Sequence, residues 1–328
     1  MAIASAREIA LKRFADDFGR MAAALNKRVV GQAAAVEALL TALCAGGHVL
    51  LDGPPGSGKT FLVRTLADVV DLPLQRIACT PDLVPADVIG TYIVMESPQG
   101  RRTFDFRKGP LFGSLVLADH VNRALPKTQS ALLEAMEENS VSVSTESFPL
   151  PRPQLIAATQ NPWDPDGTFP LPESQLDRFL LSIRMATPDD AAMAEIVRRA
   201  ASGEEIPIEK VVDGPRLMEM IDAARGVSVD AAILRRTVRR VGATDPAHPQ
   251  APREVQQHVR RGCGPRGAIA LVAAAKVAAA AAGRDSVAWD DVARWAKAAI
   301  GHRIVLELAA AADDDVSIET VVERVFAG

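Results

Sequence analysis

Little in this 328-residue chain speaks for a membrane, an oxidising compartment or a structural metal. No apolar run approaches the roughly 18 uncharged residues that a membrane span needs. The nearest, Leu271–Gly283, is mostly weakly apolar alanine and is interrupted by Lys276. The opening stretch, MAIASAREIALKRFADDFG, carries both charge signs and no apolar h-region, so it predicts an amphipathic helix and not a signal peptide. Cys44, Cys79 and Cys263 lack metal-ligand spacing and leave an odd one unpaired, which suits a reducing cytosol. His48, His248, His258 and His302 are scattered without metal spacing and predict packed or surface imidazoles. A net charge of −4 provides no basic field to recruit nucleic acid or anionic lipid. No internal repeat is visible. The expectation is a soluble, cytoplasmic protein with no membrane partner.

What is present divides into two textures. From Val29 to Pro188, short β-rich runs alternate with helical spacing: HVLLD (48–52), LQRIA (74–78), SLVLAD (114–119), QLIAATQ (154–160) and FLLSIRM (179–185). Strands alternating with helices predict an α/β domain with a parallel sheet covered on both faces. Turn chemistry falls in the same half, in GPPGSG (53–58), NPWDPDG (161–167) and PLP (170–172). Past Thr187-Pro188 the strands stop. Asp189–Ala201, Gly214–Arg225, Asp230–Val241, Gly267–Ala282 and Trp289–Leu308 carry helical spacing. The boundary is expected near residue 188, with a small all-α domain over 189–328. Pro246, Pro249 and Pro252 break the helical pattern and predict a surface loop over Gly242–Pro252.

The strongest chemical signal is GPPGSGKT: Gly53, Pro54, Pro55, Gly56, Ser57, Gly58, Lys59 and Thr60. It fits G-x-x-x-x-G-K-[ST], directly after an apolar strand pattern and directly before the helical run FLVRTLADVV. Glycines let backbone N–H groups curl around an anion, and the helix N-terminus adds its dipole. Lys59 would reach the β- and γ-phosphates, and Thr60 would offer a hydroxyl to Mg²⁺. A second strand, SLVLAD, ends in a carboxylate. Placed next to the phosphate-loop strand, Asp119 would supply the remaining Mg²⁺ ligand. ATP and Mg²⁺ are the cofactors this pattern predicts.

Longer blocks carry a family resemblance: VVGQ (29–32), RIACTPDLVPADVIGTY (76–92), LADHVNRALPKTQSALLEAMEE (117–138), ATQNPWDPDGTFPLPESQLDRFLL (158–181), GCGPRGAIAL (262–271) and GHRI (301–304). With them the chain resembles the MoxR-type AAA+ ATPases over nearly its whole length. That resemblance implies an AAA+ P-loop domain with a parallel sheet, followed by an all-α lid. It places Asn161 at the sensor-1 position, where a neutral amide would orient water or touch the γ-phosphate; an Asx turn before Pro162 would also satisfy it. It places Arg178 as an arginine finger offered to a neighbouring subunit, against the alternative of an arginine paired with Asp177 or Glu173. Arg266 matches sensor 2, and Val30, Gly31 and Gln32 resemble the loop lining the adenine pocket. It also implies a homo-oligomeric ring, hexameric in related proteins, that remodels or matures a client protein complex. A separate protein with a von Willebrand factor A domain would serve as adaptor.

The same resemblance implies two insertions. One falls at about 82–112, where TYIVM and RTFDF would pair across ESPQGR. The other is a hairpin over SVSVSTESFPLP (140–151). In helicases of this branch the second hairpin is basic, but here it has no Lys or Arg. Phosphate contacts dominate nucleic-acid affinity, so a DNA-translocating motor is disfavoured and a protein substrate is favoured. Arg235-Arg236 and Arg239-Arg240 repeat at i,i+4. They read as a solvated helix face, with docking of an acidic partner as the alternative.

One residue departs from the pattern. His120 follows Asp119 where related AAA+ proteins carry the glutamate that polarises the attacking water. Three readings compete. The site is crippled and ATP binding serves assembly or scaffolding. A neutral imidazole accepts the proton itself, which its ordinary chemistry near neutral pH allows. Or Mg²⁺, Asn161 and Arg178 suffice for slow turnover, since phosphoryl transfer depends mostly on positioning and electrostatics. Slow or partner-dependent hydrolysis is the expectation.

Overall fold

Leu11, Phe14, Phe18, Met21 and Leu25 recur at helical spacing and bury one face of the first helix, α1 (Ala6–Arg28). The computed structural model describes residues 6–96, 102–143, 145–161, 167–311 and 316–327. After α1 come α2 (Ala33–Ala45), β1 (Val49–Asp52), α3 (Lys59–Val69), β2 (Leu74–Ala78), α4 (Pro85–Ile89), β3 (Gly90–Glu96), β4 (Arg102–Lys108) and β5 (Leu115–Asp119). The α/β half continues with α5 (Pro126–Glu138), β6 (Ser140–Val143), β7 (Glu146–Pro149), β8 (Leu155–Gln160), α6 (Glu173–Leu176) and β9 (Leu181–Arg184). Five of these strands form one parallel sheet in the order β2-β5-β8-β1-β9.

That order corrects one expectation. The strand ending in Asp119 does not adjoin the phosphate-loop strand, because β8 lies between β5 and β1. Apolar runs mark which segments are strands, but pairing is a long-range choice that no run encodes. The consequence favours the site. Asp52 is level with Gln160 across β1 and β8, and Ala118 is level with Ala158 across β5 and β8. Asp119 and Asn161 therefore leave neighbouring strands at the same edge as the loop that follows β1.

Side chains alternate across the sheet with the period of two that strands impose. Val49, Leu51, Leu115, Leu117, Leu155 and Ala157 face one core, while Leu50, Val116, Ile156 and Ala158 face another beside α5. The first core does not end with the sheet. It runs on through α1 and α2 into the later helices α8 (Gly214–Arg225), α11 (Pro265–Ala281) and α12 (Trp289–Ile300). Between and after these lie α7 (Asp190–Ser202), α9 (Ala231–Gly242), α10 (Arg253–His258), α13 (Leu308–Ala311) and α14 (Ile318–Phe326). Helices α7, α8 and α9 each open on an aspartate, Asp189, Asp213 and Asp230, whose carboxylate accepts a backbone N–H of the first turn. Such caps contribute about 1 kcal/mol each.

The predicted helix over Trp289–Leu308 is shorter than its spacing suggested, ending at Ile300. A 3-10 turn over Gly301–Arg303 follows, and the chain extends into β11 (Val305–Leu306), which pairs antiparallel with β10 (Val259–Arg261). The turn has a polar cause. It carries the nearly buried Arg303 guanidinium to the carbonyls of Asp177 and Phe179, at 2.9 and 2.7 Å. Both expected insertion hairpins are present. β3 pairs with β4 and β6 with β7. They touch each other: Phe106 stacks on Phe148 at 4.3 Å between ring centroids, and the Tyr92 hydroxyl donates to Glu146 at 2.7 Å. The turn within ESPQGR (97–101), Ser144 and positions 162–166 of NPWDPDG lie outside the described residues.

His48 shows how a lone histidine is absorbed into a core. It is buried beside β8, where its Nδ1 accepts the Ile156 N–H at 3.1 Å, and burial pushes its pKa down to about 4. His302 behaves alike: burial first, then the Arg303 charge, pushes it to about 3. Both imidazoles are neutral when folded but take up a proton near pH 6.5 when unfolded. Stability should therefore fall as pH drops below 6.5, by about 1.4 kcal/mol per pH unit for each group. At pH 5 each group has removed about 2 kcal/mol. Urea unfolding at pH 7 and pH 5 tests this, with His48→Asn expected to lose about half of the acid-side loss. An unchanged pH dependence in that variant would reject the assignment.

Candidate nucleotide site

The phosphate loop is built by backbone conformation. Gly56 and Gly58 have φ of +81° and +90°, a region that side-chain-bearing residues enter at a cost. Gly58 caps α3, and the Leu62 N–H donates to its carbonyl at 2.8 Å, so free amides of the first turn point toward the loop. Lys59 is buried within this cradle, and its ammonium donates to the Gly53 and Pro54 carbonyls at 2.5 and 3.0 Å. Burial lowers the Lys59 pKa, and the nearby carboxylates Asp119 and Asp52 oppose that shift. Pro54 and Pro55 stiffen the loop's entry.

Asp119 ends β5 nearly out of contact with water. Its Oδ1 accepts from the Thr159 hydroxyl at 2.8 Å, and its Oδ2 accepts from Arg76 Nη2 at 2.7 Å and Nε at 3.2 Å. The Thr60 hydroxyl stands 3.4 and 3.5 Å from the two carboxylate oxygens. Burial alone would raise the Asp119 pKa, but the bonds from Arg76 and Thr159 and the adjacent charges outweigh it, and the group sits below the usual carboxylate range. It is an ionised oxygen donor beside the Thr60 hydroxyl. One carboxylate and one hydroxyl, with the rest left to phosphate oxygens and water, is a donor set that suits Mg²⁺.

Asn161 follows β8 directly, and its carbonyl accepts from Asn122 Nδ2 at 3.4 Å. His120 adopts the left-handed conformation, φ 59° and ψ 52°, at the start of a 3-10 turn. Its N–H donates to the same Thr159 hydroxyl at 2.9 Å, while its Nδ1 lies 3.4 Å from Asp119 Oδ1 and the ring is half exposed. The histidine thus stands at the mouth of the site beside the carboxylate, and not in the core.

Val30 and Gln32, in the turn between α1 and α2 that also holds Gly31, line a cleft of about 410 Å³. Gly56, Ser57 and Gly58 of the phosphate loop, Phe61 of α3 and Ile196 of α7 also line it. Gln32 is fixed by its bond to the Ala186 carbonyl at 2.7 Å. The cleft opens onto the phosphate loop, so a base held there would lay its phosphates across the α3 N-terminus.

The two remaining arginines do not reach this cluster. Arg178 pairs with Glu137 of α5 at 3.1 Å, and Arg266, at the start of α11, pairs with the same carboxylate. Arg266 also lies 3.7 Å from Asp177. Glu137, not Asp177 or Glu173, is therefore the Arg178 partner. Three contributors escaped sequence reasoning. Arg76 stands in an otherwise unremarkable strand, its one signal being its place in the block RIACTPD. Glu137 looked like any helix-surface acid. Arg303, which bonds Asp177 Oδ1 at 2.7 Å and so braces the Arg178 segment, showed only as part of GHRI.

Comparison with known proteins gives the family and the fold. Residues 48–181 match the ATPase family associated with various cellular activities, and residues 253–325 match the AAA lid domain. The chain is 41% identical over 303 residues to "Chaperone MoxR1" of Mycobacterium tuberculosis, covering 92% of this chain and 79% of that protein. It is 32% identical over 314 residues to "Protein MoxR" of Methylorubrum extorquens, covering 89% and 88%. A crystal structure of a Cytophaga hutchinsonii protein superposes with a TM-score of 0.88 at 34% identity, covering 98% of this chain and 96% of that one. On these likenesses, which span both the nucleotide-loop half and the helical half, the chain belongs to the MoxR family of AAA+ ATPases.

Proposed function

We propose that the protein is a chaperone-like ATPase that assembles as a ring, binds ATP between subunits and remodels a client protein complex. The observation that carries this reading is the separation of the site into two parts. Lys59, Thr60, Asp119 and Asn161 gather at one sheet edge beside the cleft, whereas Arg178 and Arg266 are held together on Glu137. Charge that a subunit cannot bring to its own phosphates is available to a neighbour. Residues 1–188 would act as the nucleotide-binding domain and 189–328 as the lid.

In this reading the α3 amides and Lys59 hold the phosphates, with Lys59 exchanging its carbonyl partners for phosphate oxygens. Thr60 and Asp119 would hold Mg²⁺, which supplies charge neutralisation between the phosphoryl groups. Asn161 positions the attacking water without adding charge, and the neighbour's arginine stabilises the transferring group. The same reading includes a hexamer, a von Willebrand factor A adaptor and a cytoplasmic location, which the family resemblance supports by analogy alone. The basic-free β6–β7 hairpin, locked to β4 through Phe148, favours a protein client over DNA.

A second reading has its own observation. His120 brings no negative charge to the water position, so the protein would bind ATP as a scaffold and turn it over slowly at best. Native mass spectrometry with and without ATP, together with Lys59→Ala, tests the main proposal. ATP should drive a closed oligomer in the wild type, and Lys59→Ala should bind a fluorescent ATP analogue at least about tenfold more weakly. A monomer in every nucleotide state would reject the ring.

A further inference from the structure

Helix α9 carries two arginine pairs at i,i+4 spacing, and the fold sends them to different places. Arg236 lies over the Trp289 ring, 3.7 Å from its centroid, and Arg240 donates to the Val325 carbonyl at 3.0 Å. Those two tie α9 to α12 and α14. Arg235 and Arg239 stand exposed, and among the described residues neither guanidinium has a hydrogen-bond or carboxylate partner.

Next to them, at the same spacing, Leu234 and Val238 are 46% and 56% exposed. They form one wall of a groove of about 600 Å³, and Ile269, 68% exposed, with Val272 of α11 forms the other. Lys276 and Arg225 close one end; Lys276 donates to the Arg225 carbonyl at 2.8 Å, and the Arg225 guanidinium has Asp222 at 3.6 Å. No carboxylate residue lines the groove among the described residues. The Thr237 hydroxyl inside it is already spent on the Ile233 carbonyl at 2.9 Å.

These features select among occupants. Among the described lining residues the floor is mostly aliphatic and offers a small polar ligand little to orient it. Nucleic acid would satisfy the arginines but leave Leu234, Val238 and Ile269 in water. A second copy related by a two-fold axis would set arginine against arginine, and a head-to-tail ring neighbour is told apart by the oligomeric state of arginine variants. An amphipathic helix satisfies both halves, with aliphatic anchors entering the groove and acidic flanks meeting the rim. We infer that the α9–α11 groove docks a helix of a partner protein whose apolar residues at i and i+4 are flanked by aspartate or glutamate. No groove residue belongs to the nucleotide site, so this inference and the ATPase reading fail separately.

The test uses the full chain and three labelled probes: a synthetic helix with leucines at i,i+4 and glutamate flanks, a twin helix with lysine flanks, and a single-stranded DNA of the same net charge as the glutamate helix. Fluorescence anisotropy should show binding of the glutamate helix, weakening with added salt. Arg235→Glu with Arg239→Glu should cut that affinity at least about tenfold and bring the lysine twin into range, and Val238→Asp should cut it similarly. Equal binding of both helices, indifference to both variants, or preference for DNA would overturn the inference. So would a smaller oligomer in the double-arginine variant, which would mean that another copy of the chain covers the groove.

Discussion

Replacing Arg178 with alanine is expected to lower ATP turnover by about 10³-fold or more in the assembled protein, with ATP binding close to wild type. The magnitude is that of a guanidinium withdrawn from a transferring phosphoryl group. The fold should survive, because Glu137 keeps Arg266 as its partner and the surrounding segment is braced separately by Arg303. Mixing separates this role from a structural one. Arg178→Ala supplies an intact phosphate loop, and Lys59→Ala supplies an intact arginine. Neither variant alone should turn over ATP appreciably, yet mixed rings should recover a measurable fraction, because some interfaces combine both intact halves. Absence of recovery under conditions where the two proteins co-assemble would place Arg178 outside the neighbour's site.

A gain is expected at His120. His120→Glu should raise turnover by about 10²-fold, the low end of what a positioned general base contributes. His120→Ala should leave the wild-type rate about where it is, because the imidazole brings no charge to the water. A clear drop in His120→Ala would instead identify the histidine as the base, and no gain in His120→Glu would show that the base position does not limit this enzyme. The gain has a cost. Position 120 holds φ 59°, and its N–H and carbonyl are both engaged, by Thr159 and by the Arg123 N–H. Histidine already holds that left-handed backbone and enters it several-fold more readily than ordinary residues, so glutamate would add only roughly half a kcal/mol and a slightly lower melting temperature should accompany the faster enzyme.

The parts of the site legible in the sequence are those fixed by local rules. GPPGSGKT specifies its own loop, and four apolar residues deliver Asp119 whichever strands lie beside it. β2 and α8 fall where their spacing put them. What stayed hidden depends on which surfaces meet. The place of β8 between β5 and β1 is set by the packing of whole helices on the sheet. Arg76 reaches Asp119 only because β2 pairs with β5 in the register that sets Ala78 opposite Asp119. Glu137 gains its meaning only when α11 is brought against α5. The early end of the last long helix is likewise decided from outside, by carbonyls near Phe179 that Arg303 must satisfy, against a helical pattern that continues through Leu308.

The shared core has a mechanical consequence. Because α1 and α2 bury their apolar faces against α8 and α11 without a solvent layer between, the helical half cannot swing away as a door on a strap. Opening such a joint would expose a continuous aliphatic surface to water, whereas sliding it by a fraction of a helical turn keeps most of that surface covered. Movement between the two halves is then expected as a shear, small in amplitude. It is felt first where the halves meet through polar pairs, at Arg266 with Glu137 and at Arg303 with Asp177.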